Sequence, residues 1–320
     1  MALETPPEWH AWNTSPDRSA EEKIRAHFRE YDWFLKLAQD AWRRKNVQAA
    51  CSYASLAALV ATHRHAGIFA SPRLEQLLVS IGRDLPDESS YRRAATTPDK
   101  VKRVLHVCTE VANIGGLASM LVRLIKEDST RQHSLVLTRN RSDVPAHITD
   151  AITASGGAVH RLDKKTPTFA ELALDLRRIA RENDLVVLHI YNEDVVPLLA
   201  FAKPDAVPPV AFINHADHLF WLGFSVSDLV INLRDSGLNL SRNRRYISAE
   251  RIAFVPTLVG KAARTRSREA AKQELGLDPD SVLLISVART VKYRTQNGIT
   301  FADTHVPALA DNVKSHLVVV

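Results

Sequence analysis

At 320 residues the chain is too long for one ordinary domain, and its 45% of hydrophobic side chains is enough to build two or three cores. Its two cysteines, Cys51 and Cys108, lie far apart within apolar patterns. This placement argues against a disulfide framework or a metal site and predicts buried thiols in a reducing compartment. The sequence has no N-terminal signal pattern and no apolar run of about 18 residues, so we expect a cytoplasmic protein without a membrane-spanning helix.

The net charge of +6 is unevenly placed, with a strongly basic segment at residues 241–268. Only Glu250 opposes its eight basic side chains, which are Arg242, Arg244, Arg245, Arg251, Lys261, Arg264, Arg266 and Arg268. Two interpretations stay open: a solvated charged surface, or a segment that attracts a phosphorylated substrate or an anionic membrane, to which the protein would bind peripherally. We expect no nucleic-acid partner, because only Tyr246 interleaves with these charges.

The chain begins with residues 1–17, which we expect to be disordered, and continues with an all-α helical module over residues 18–90. Aromatic and alanine side chains recur there at helical spacing, and the aromatic stripe that includes Trp33 is predicted to be core. A third helix is predicted to start at Ser71-Pro72, since serine caps a helix and proline suits its first turn. We interpret the module as a bundle for packing or partner contact.

A polar linker separates this module from a zone of alternating strands and helices, residues 101–258. Helices are predicted at 169–181 and 193–201. The candidate strands are 104–107, 134–137, 158–162, 185–189, 210–213, 229–232 and 251–255. Repeated β-α units predict an α/β fold, namely a Rossmann-like doubly wound parallel sheet with ligands at the carboxyl ends of its strands.

The first β-α unit of this zone carries the paired glycines Gly115 and Gly116 between an apolar strand and an amphipathic helix. Glycine lets a backbone approach a ligand closely, and free N–H groups at a helix start favour anions. The pair therefore predicts a phosphate-binding turn. An ordinary tight turn explains the same residues equally well.

Residues 267–320 repeat the pattern with a helix at 267–276, a strand at 282–287, a helical segment at 301–309 and a strand at 317–320. They predict the beginning of a second Rossmann-like domain. An apolar strand at a chain end is an exposed edge that invites aggregation. We therefore expect that the sequence is truncated within this domain, the alternative being an edge strand closed by a partner.

Several segments, taken in order, resemble the glycosyltransferases of the GT-B architecture, and more narrowly the retaining family 4. Besides the glycine turn, the similar segments are Leu185–Glu193, Asn214–His218, Arg251–Pro256, Glu274–Leu277 and Val282–Arg289. In that family the first three correspond, in order, to a His-x-His segment at a strand end, a His-Asp segment and the strand that closes the first domain. The last two correspond to the opening of the second domain. The resemblance covers residues 101–320.

The chain also departs from this family pattern. Tyr191 replaces the second histidine of His-x-His, Thr257 and Leu258 replace an Asn-Gly pair, and Ala288 replaces a glycine. The Glu-x7-Glu segment that holds the donor sugar and ribose in the family would lie beyond Val320. The resemblance therefore implies that the given chain does not complete a donor site and is inactive alone.

The resemblance implies roles for particular side chains. Arg289, with Lys292 or Arg294, would contact the donor diphosphate together with Gly115 and Gly116. His189 and His215 would lie near the donor sugar and the acceptor as catalytic residues. The further acceptor or sugar contacts would come from Glu193, Asp217 and His218 at the same strand ends. Taken from the residues alone, each histidine is equally explained as a buried structural side chain. A further well-spaced metal ligand is missing beside His215, Asp217 and His218, so we expect neither a metal nor another cofactor.

We therefore predict a glycosyltransferase that moves a sugar from a nucleotide-sugar donor to a glycan, a lipid-linked sugar or a protein side chain. The alternative is a non-catalytic Rossmann-like scaffold or binding module that uses the helical zone and the basic segment. A nicotinamide-dependent enzyme is disfavoured, because Thr138-Arg139-Asn140 follow the second strand where an acidic residue would hold the ribose.

Overall fold

The computed structural model describes residues 18–87, 89–94, 97–113, 115–139, 143–162, 167–259, 263–288, 293, 300–310 and 314–320. The predicted disordered segment 1–17 lies outside this part of the chain. Two compact units are present, Met1–Leu258 and Val259–Val320. The boundary between them falls where the sequence analysis placed the end of the first Rossmann-like zone.

The first unit begins with three helices, α1 (Arg18–Arg43), α2 (Val47–His63) and α3 (Pro72–Asp84). The predicted start of α3 is confirmed, because the Ser71 side chain accepts a hydrogen bond from the Leu74 amide at 3.1 Å. The prediction that the whole aromatic stripe is core is wrong at Trp33, which is 56% exposed and rests on the neighbouring Phe34 ring.

A sheet of seven parallel strands forms the centre of this unit. The strands are β1 (Arg103–Cys108), β2 (Gln132–Leu137), β3 (Val159–Arg161), β4 (Leu185–His189), β5 (Val210–Asn214), β6 (Leu229–Asn232) and β7 (Ile252–Phe254). Their order is β3-β2-β1-β4-β5-β6-β7. The short apolar runs form strands because both faces of the sheet are covered, which suits continuous hydrophobic stretches. The strand order reverses between β1 and β4, so the switch point of the fold lies at their carboxyl ends.

Helices connect these strands: α4 (Gly116–Glu127), α5 (Ala146–Ala154), α6 (Phe169–Ala180), α7 (Val196–Ala200) and α8 (Asp235–Asn243). A capping box of Thr168 and Glu171 starts α6 at the predicted place. The helix predicted over 193–201 is shorter than expected and starts at Val196, whose amide donates a hydrogen bond to the Asp194 carboxylate just before the helix. Cys51 and Cys108 are both buried and unpaired, as predicted.

The three N-terminal helices share a hydrophobic core with the sheet, α6 and α7. Gly82 in α3 shows how closely the layers approach, since a Cβ atom there would lie 2.5 Å from the Leu199 carbonyl oxygen. Arg177 of α6 is fully buried and donates to the carbonyl oxygens of Gly82, Leu199 and Ala200 at 2.8–3.0 Å. Its guanidinium also pairs with Asp87 at 3.1 Å. The helical module is thus joined to the sheet by apolar packing and by a buried polar network.

A second buried polar contact ties α3 to the loop after β5. The Glu75 carboxylate is 1% exposed and accepts hydrogen bonds from the amides of Gly223, Phe224 and Ser225 at 2.6–3.3 Å. Burial raises its pKa to about 7, although these hydrogen bonds oppose the shift. This carboxylate satisfies three backbone donors that the loop would otherwise leave unpaired.

The second unit contains α9 (Arg268–Glu274), β8 (Val282–Ser286), α10 (Phe301–Ala310) and β9 (Ser315–Val319). Its two strands pair in parallel, as a β-α-β connection requires. Together the elements confirm the predicted fold class: a doubly wound parallel sheet preceded by helices and followed by a second, smaller β-α-β unit. No helix in the described parts of the chain is both long and apolar enough to cross a bilayer.

Candidate functional site

Most of the residues that the sequence analysis proposed for a site, and that the structure describes, lie at the carboxyl edge of the seven-stranded sheet. Gly115 and Gly116 follow β1, Glu193 follows β4, and His215 and Asp217 follow β5. Because parallel strands end on one side of a sheet, these residues share an edge beside the switch point. Each is described in turn below.

The glycine turn opens α4. Gly115 has φ 155° and ψ 158°, a region that is essentially restricted to glycine, and it is the N-cap residue of the helix. Among the described residues, no atom lies within 4 Å of a Cβ atom built on Gly115 or Gly116, so the turn is open on that side. An anion there would be bound by the first amides of α4. Anion binding at this turn stays a prediction.

The two predicted catalytic histidines contact each other, with His189 Nδ1 and His215 Nε2 separated by 3.0 Å. His189 is fully buried at the end of β4, whereas His215 is only partly buried. His189 is therefore enclosed by the protein, and its contact with a substrate stays a prediction. Burial lowers the pKa of His215 to about 4 and that of His189 well below its usual value, so both rings are neutral near pH 7.

Two further histidines that the sequence analysis missed continue this contact into the sheet. His106 on β1 lies 3.0 Å from His189, and His133 on β2 lies 3.0 Å from His106. His106 was visible as a polar residue inside an apolar strand, whereas His133 lies one residue before the predicted strand 134–137. Their contacts could be recognised only with the register of the strands, because the four histidines come from four different segments.

Glu193 is largely buried and pairs with Arg139 at 3.0 Å. Its neighbour Asp194 is also buried and accepts hydrogen bonds from the hydroxyls of Thr109 and Thr138 at 2.6 and 2.5 Å. Burial raises the pKa of Asp194 against these bonds. The two carboxylates line a cavity of about 210 Å³ together with Arg139, so a ligand there would meet three charged groups as well as apolar walls.

Asp217 is held by the protein itself. Its carboxylate forms an ion pair with Arg234 and accepts a hydrogen bond from the Ser236 hydroxyl at 2.9 Å. Burial alone would raise its pKa, but the Ser236 bond and the Arg234 charge lower the pKa below its usual value. The predicted neighbour His218 has an exposed side chain, 3.4 Å from the Asp217 carboxylate. The exposed side chain of His218 can therefore contact an acceptor, whereas the Asp217 carboxylate is largely occupied by Arg234 and Ser236.

The remaining predicted site residues, Arg289, Lys292 and Arg294, lie outside the described residues. Among the residues that the structure does describe, no group of three or more histidine, cysteine or acidic side chains could hold a metal ion.

Two of the eight basic side chains in segment 241–268 are used internally. Arg245 is 1% exposed, donates to the carbonyl oxygens of Asp217 and Leu219, and lies 4.8 Å from the centre of the Trp221 ring. Arg251 donates to carbonyl oxygens of the loop before β6. Fewer basic side chains therefore contribute to the predicted charged surface than the sequence indicated.

No known protein family matches the chain, and no curated protein matches it. Solved structures do resemble it. HepE (Alr3699) from Anabaena, in complex with UDP and glucose, aligns with a TM-score of 0.50 and 14% identity over 68% of this chain and 60% of its own. The O-GlcNAc transferase of Thermobaculum terrenum, in its K341M form, aligns with a TM-score of 0.43 and 13% identity over 93% of this chain and 55% of its own.

The fold is that of the GT-B glycosyltransferases. At 14% identity the likeness to HepE concerns the fold alone, and the chain spans 60% of the length of that structure. Residue roles and activity must therefore come from the site itself.

Proposed function

We propose that this chain belongs to a nucleotide-sugar-dependent glycosyltransferase, with the first unit holding the acceptor and the second contributing to the donor side. One observation carries the proposal: in a GT-B fold, the open glycine turn and a partly buried neutral histidine, His215, lie on the same carboxyl edge of the sheet. The turn suits the diphosphate of a donor, and the histidine suits a hydroxyl of a sugar.

The proposed reaction breaks the bond between the anomeric carbon and the diphosphate and forms a bond from that carbon to an acceptor oxygen. Negative charge develops on the departing diphosphate, so donors and cations aimed at it accelerate the transfer. We assign this role to the amides at Gly115 and Gly116 and to Arg289, with Lys292 or Arg294. His215 would accept a hydrogen bond from the acceptor hydroxyl, which must lose its proton. The resemblance to family 4 supports transfer with retention.

The acceptor class stays open between a glycan, a lipid-linked sugar and a protein side chain. His218, exposed beside the Asp217 carboxylate, and the cavity beside Glu193 are the contacts that we propose for it.

The proposal is tested with the full-length gene product, which is incubated with UDP-glucose and, separately, with GDP-mannose. Binding is followed by titration calorimetry and turnover by release of the nucleoside diphosphate. We expect binding of one donor, and a loss of turnover of about 10²-fold or more in His215→Gln, the size of general acid–base effects. His147→Gln, on the exposed surface of α5, is the matched control and leaves both unchanged. Absence of both binding and turnover with every donor refutes the proposal, and binding without turnover favours the scaffold alternative.

A further inference from the structure

Four imidazoles form a continuous hydrogen-bonded row through the sheet, which we call the histidine row: His133, His106, His189 and His215. Each neighbouring pair of ring nitrogens is 3.0 Å apart, and the ring centres are 5.2, 5.2 and 5.3 Å apart. The register explains the alignment. His133 lies opposite Val104 of β1, two residues before His106, and His189 lies opposite Cys108, two residues after His106. Each step to the next strand therefore advances the histidine by two residues. A shift of two keeps every ring on the same face of the sheet.

The direction of the hydrogen bonds follows from one end of the row. His133 Nε2 lies 3.2 Å from the carbonyl oxygen of Asp128 and 3.5 Å from its carboxylate. Both oxygens only accept hydrogen bonds, so this nitrogen carries the proton.

A neutral imidazole has one donor and one acceptor nitrogen, so His133 Nδ1 must accept from His106 Nε2. The same reasoning passes along the row: His189 Nε2 donates to His106, and His215 Nε2 donates to His189. The Nδ1 atom of His215 is left with a lone pair, and it has no hydrogen-bond partner among the described residues. A carbonyl at the far end of the sheet thereby sets the tautomer of the histidine at the candidate site.

The two ends of the row reach different surroundings. His215 lies at the carboxyl edge, beside the proposed acceptor site. Toward the other end, His133, His106 and Asp128 line a cavity of about 440 Å³ whose other walls are mainly apolar. Between this cavity and the carboxyl edge, His189 is fully buried and closed to bulk water.

We propose that the histidine row is a proton relay between the carboxyl edge and the Asp128 cavity. A proton arriving at His215 Nδ1 releases the Nε2 proton of that ring to His189 Nδ1. His189 and His106 pass their own Nε2 protons on in the same way, and His133 gives its Nε2 proton to the Asp128 carboxylate. One proton enters, one leaves, and every N–H···N bond is reversed. That the entering proton comes from the acceptor hydroxyl rests on the proposed function, whereas the relay itself does not.

The relay must return to its starting state after each passage. In the reversed state, His133 Nε2 has no proton and faces the lone pairs of the Asp128 carbonyl oxygen, which is unfavourable. The original polarity is therefore preferred, and the proton is drawn back when the carboxyl edge can take it. The row works as a reversible proton store rather than as a one-way channel.

The first test uses the unaltered protein. Nitrogen-15 NMR detects scalar couplings across N–H···N hydrogen bonds and reports the tautomer of each histidine. At pH 7.5 we expect three such couplings and an Nε2–H tautomer in all four rings. Missing couplings, or an Nδ1–H tautomer at His189 or His215, would overturn the proposal without any variant having to fold.

The second test interrupts the row. His106→Phe keeps a planar ring in the sheet but cannot pass a proton, and His147→Phe is the control on the exposed surface of α5. We expect His215, two rings away, to change from a single tautomer to a mixture in His106→Phe and to stay unchanged in the control. A purely structural ring at position 106 would leave the His215 tautomer as it was, which would contradict the relay.

Asp128→Asn separates tautomer control from proton transfer, because it keeps the backbone carbonyl and removes the proton acceptor. We expect unchanged tautomers together with a fall of at least tenfold in the turnover of a nucleotide sugar, and a linear instead of a curved dependence of kcat on the D₂O fraction. Unchanged turnover with a curved dependence refutes the relay. If the unaltered protein turns over no donor at all, the proposed function fails while the NMR tests still decide on the relay.

Discussion

The histidine row leads to a quantitative prediction for the pH dependence of stability. His106, His189 and His215 are neutral in the folded protein because burial lowers their pKa values, to about 3 for His106 and to about 4 for His215. In the unfolded chain each has a pKa near ~6.5. Below that pH the unfolded state binds protons that the folded state cannot, so acid lowers the free energy of unfolding. Their stabilising effect is present above pH ~6.5 and is lost as the pH falls.

The magnitude follows from linkage. Between pH ~7 and ~5, each of these three histidines lowers the free energy of unfolding by about 2 kcal/mol. Glu75 acts in the opposite direction: its folded pKa of about 7 lies above its unfolded value, so it stabilises the protein increasingly as the pH falls through that range. Glu75 therefore offsets about 2 kcal/mol of the loss caused by the histidines. We expect the free energy of unfolding to fall by about 4 kcal/mol in all, which is a large part of the stability of an ordinary domain. Asp194, whose pKa burial also raises, acts in the same direction as Glu75, whereas His133, whose pKa burial lowers, adds to the loss.

The assay is urea unfolding at pH 7 and pH 5, followed by the fluorescence of the tryptophans, among them the buried Trp221. Glu75→Gln is the informative variant, because removing the opposing carboxyl should increase the loss between the two pH values by about 2 kcal/mol. Equal free energies of unfolding at both pH values, in the parent and in the variant alike, would refute the assignment of neutral buried rings.

Three other predictions concern packing, the donor and the basic segment. Gly82→Ala would place a Cβ atom 2.5 Å from the Leu199 carbonyl oxygen. We expect urea unfolding to show that the free energy of unfolding falls by about 1–3 kcal/mol, whereas Ser80→Ala in the same helix changes it little. In the full-length protein, Arg289→Ala should abolish nucleotide-sugar binding in calorimetry, and unchanged affinity removes Arg289 from the proposed site. If segment 241–268 binds anionic membranes, sedimentation with phosphatidylserine vesicles should fall steeply as salt rises, and salt-independent sedimentation would speak against it.

The fold was predictable because its strands are buried on both faces and leave short apolar runs in the sequence. The observed strands β1, β4 and β6 end within one residue of their predicted positions. The start of α3 was also predictable, since Ser71 and Pro72 act locally. Local patterns of this kind depend only on neighbouring residues.

Much of the candidate site was not predictable, because it depends on contacts between distant segments. His106 looks like an isolated polar residue and His133 like the polar start of a strand, until the register brings His106 next to His189 and His133 next to His106. The same holds for Glu75, whose three amide partners lie about 150 residues further along the chain. Periodicity alone also placed Trp33 in the core, although neighbouring elements leave it exposed.

The buried guanidinium of Arg177 has a consequence for how this protein can be divided, in evolution or in the laboratory. It joins carbonyl oxygens from both sides of residue 100, so a cut after the third helix would remove the Gly82 acceptor and uncover the apolar surface that the helices share with the sheet. Exchange of whole modules with other proteins should therefore respect the junction at Leu258 and Val259 and carry the leading helices along with the sheet.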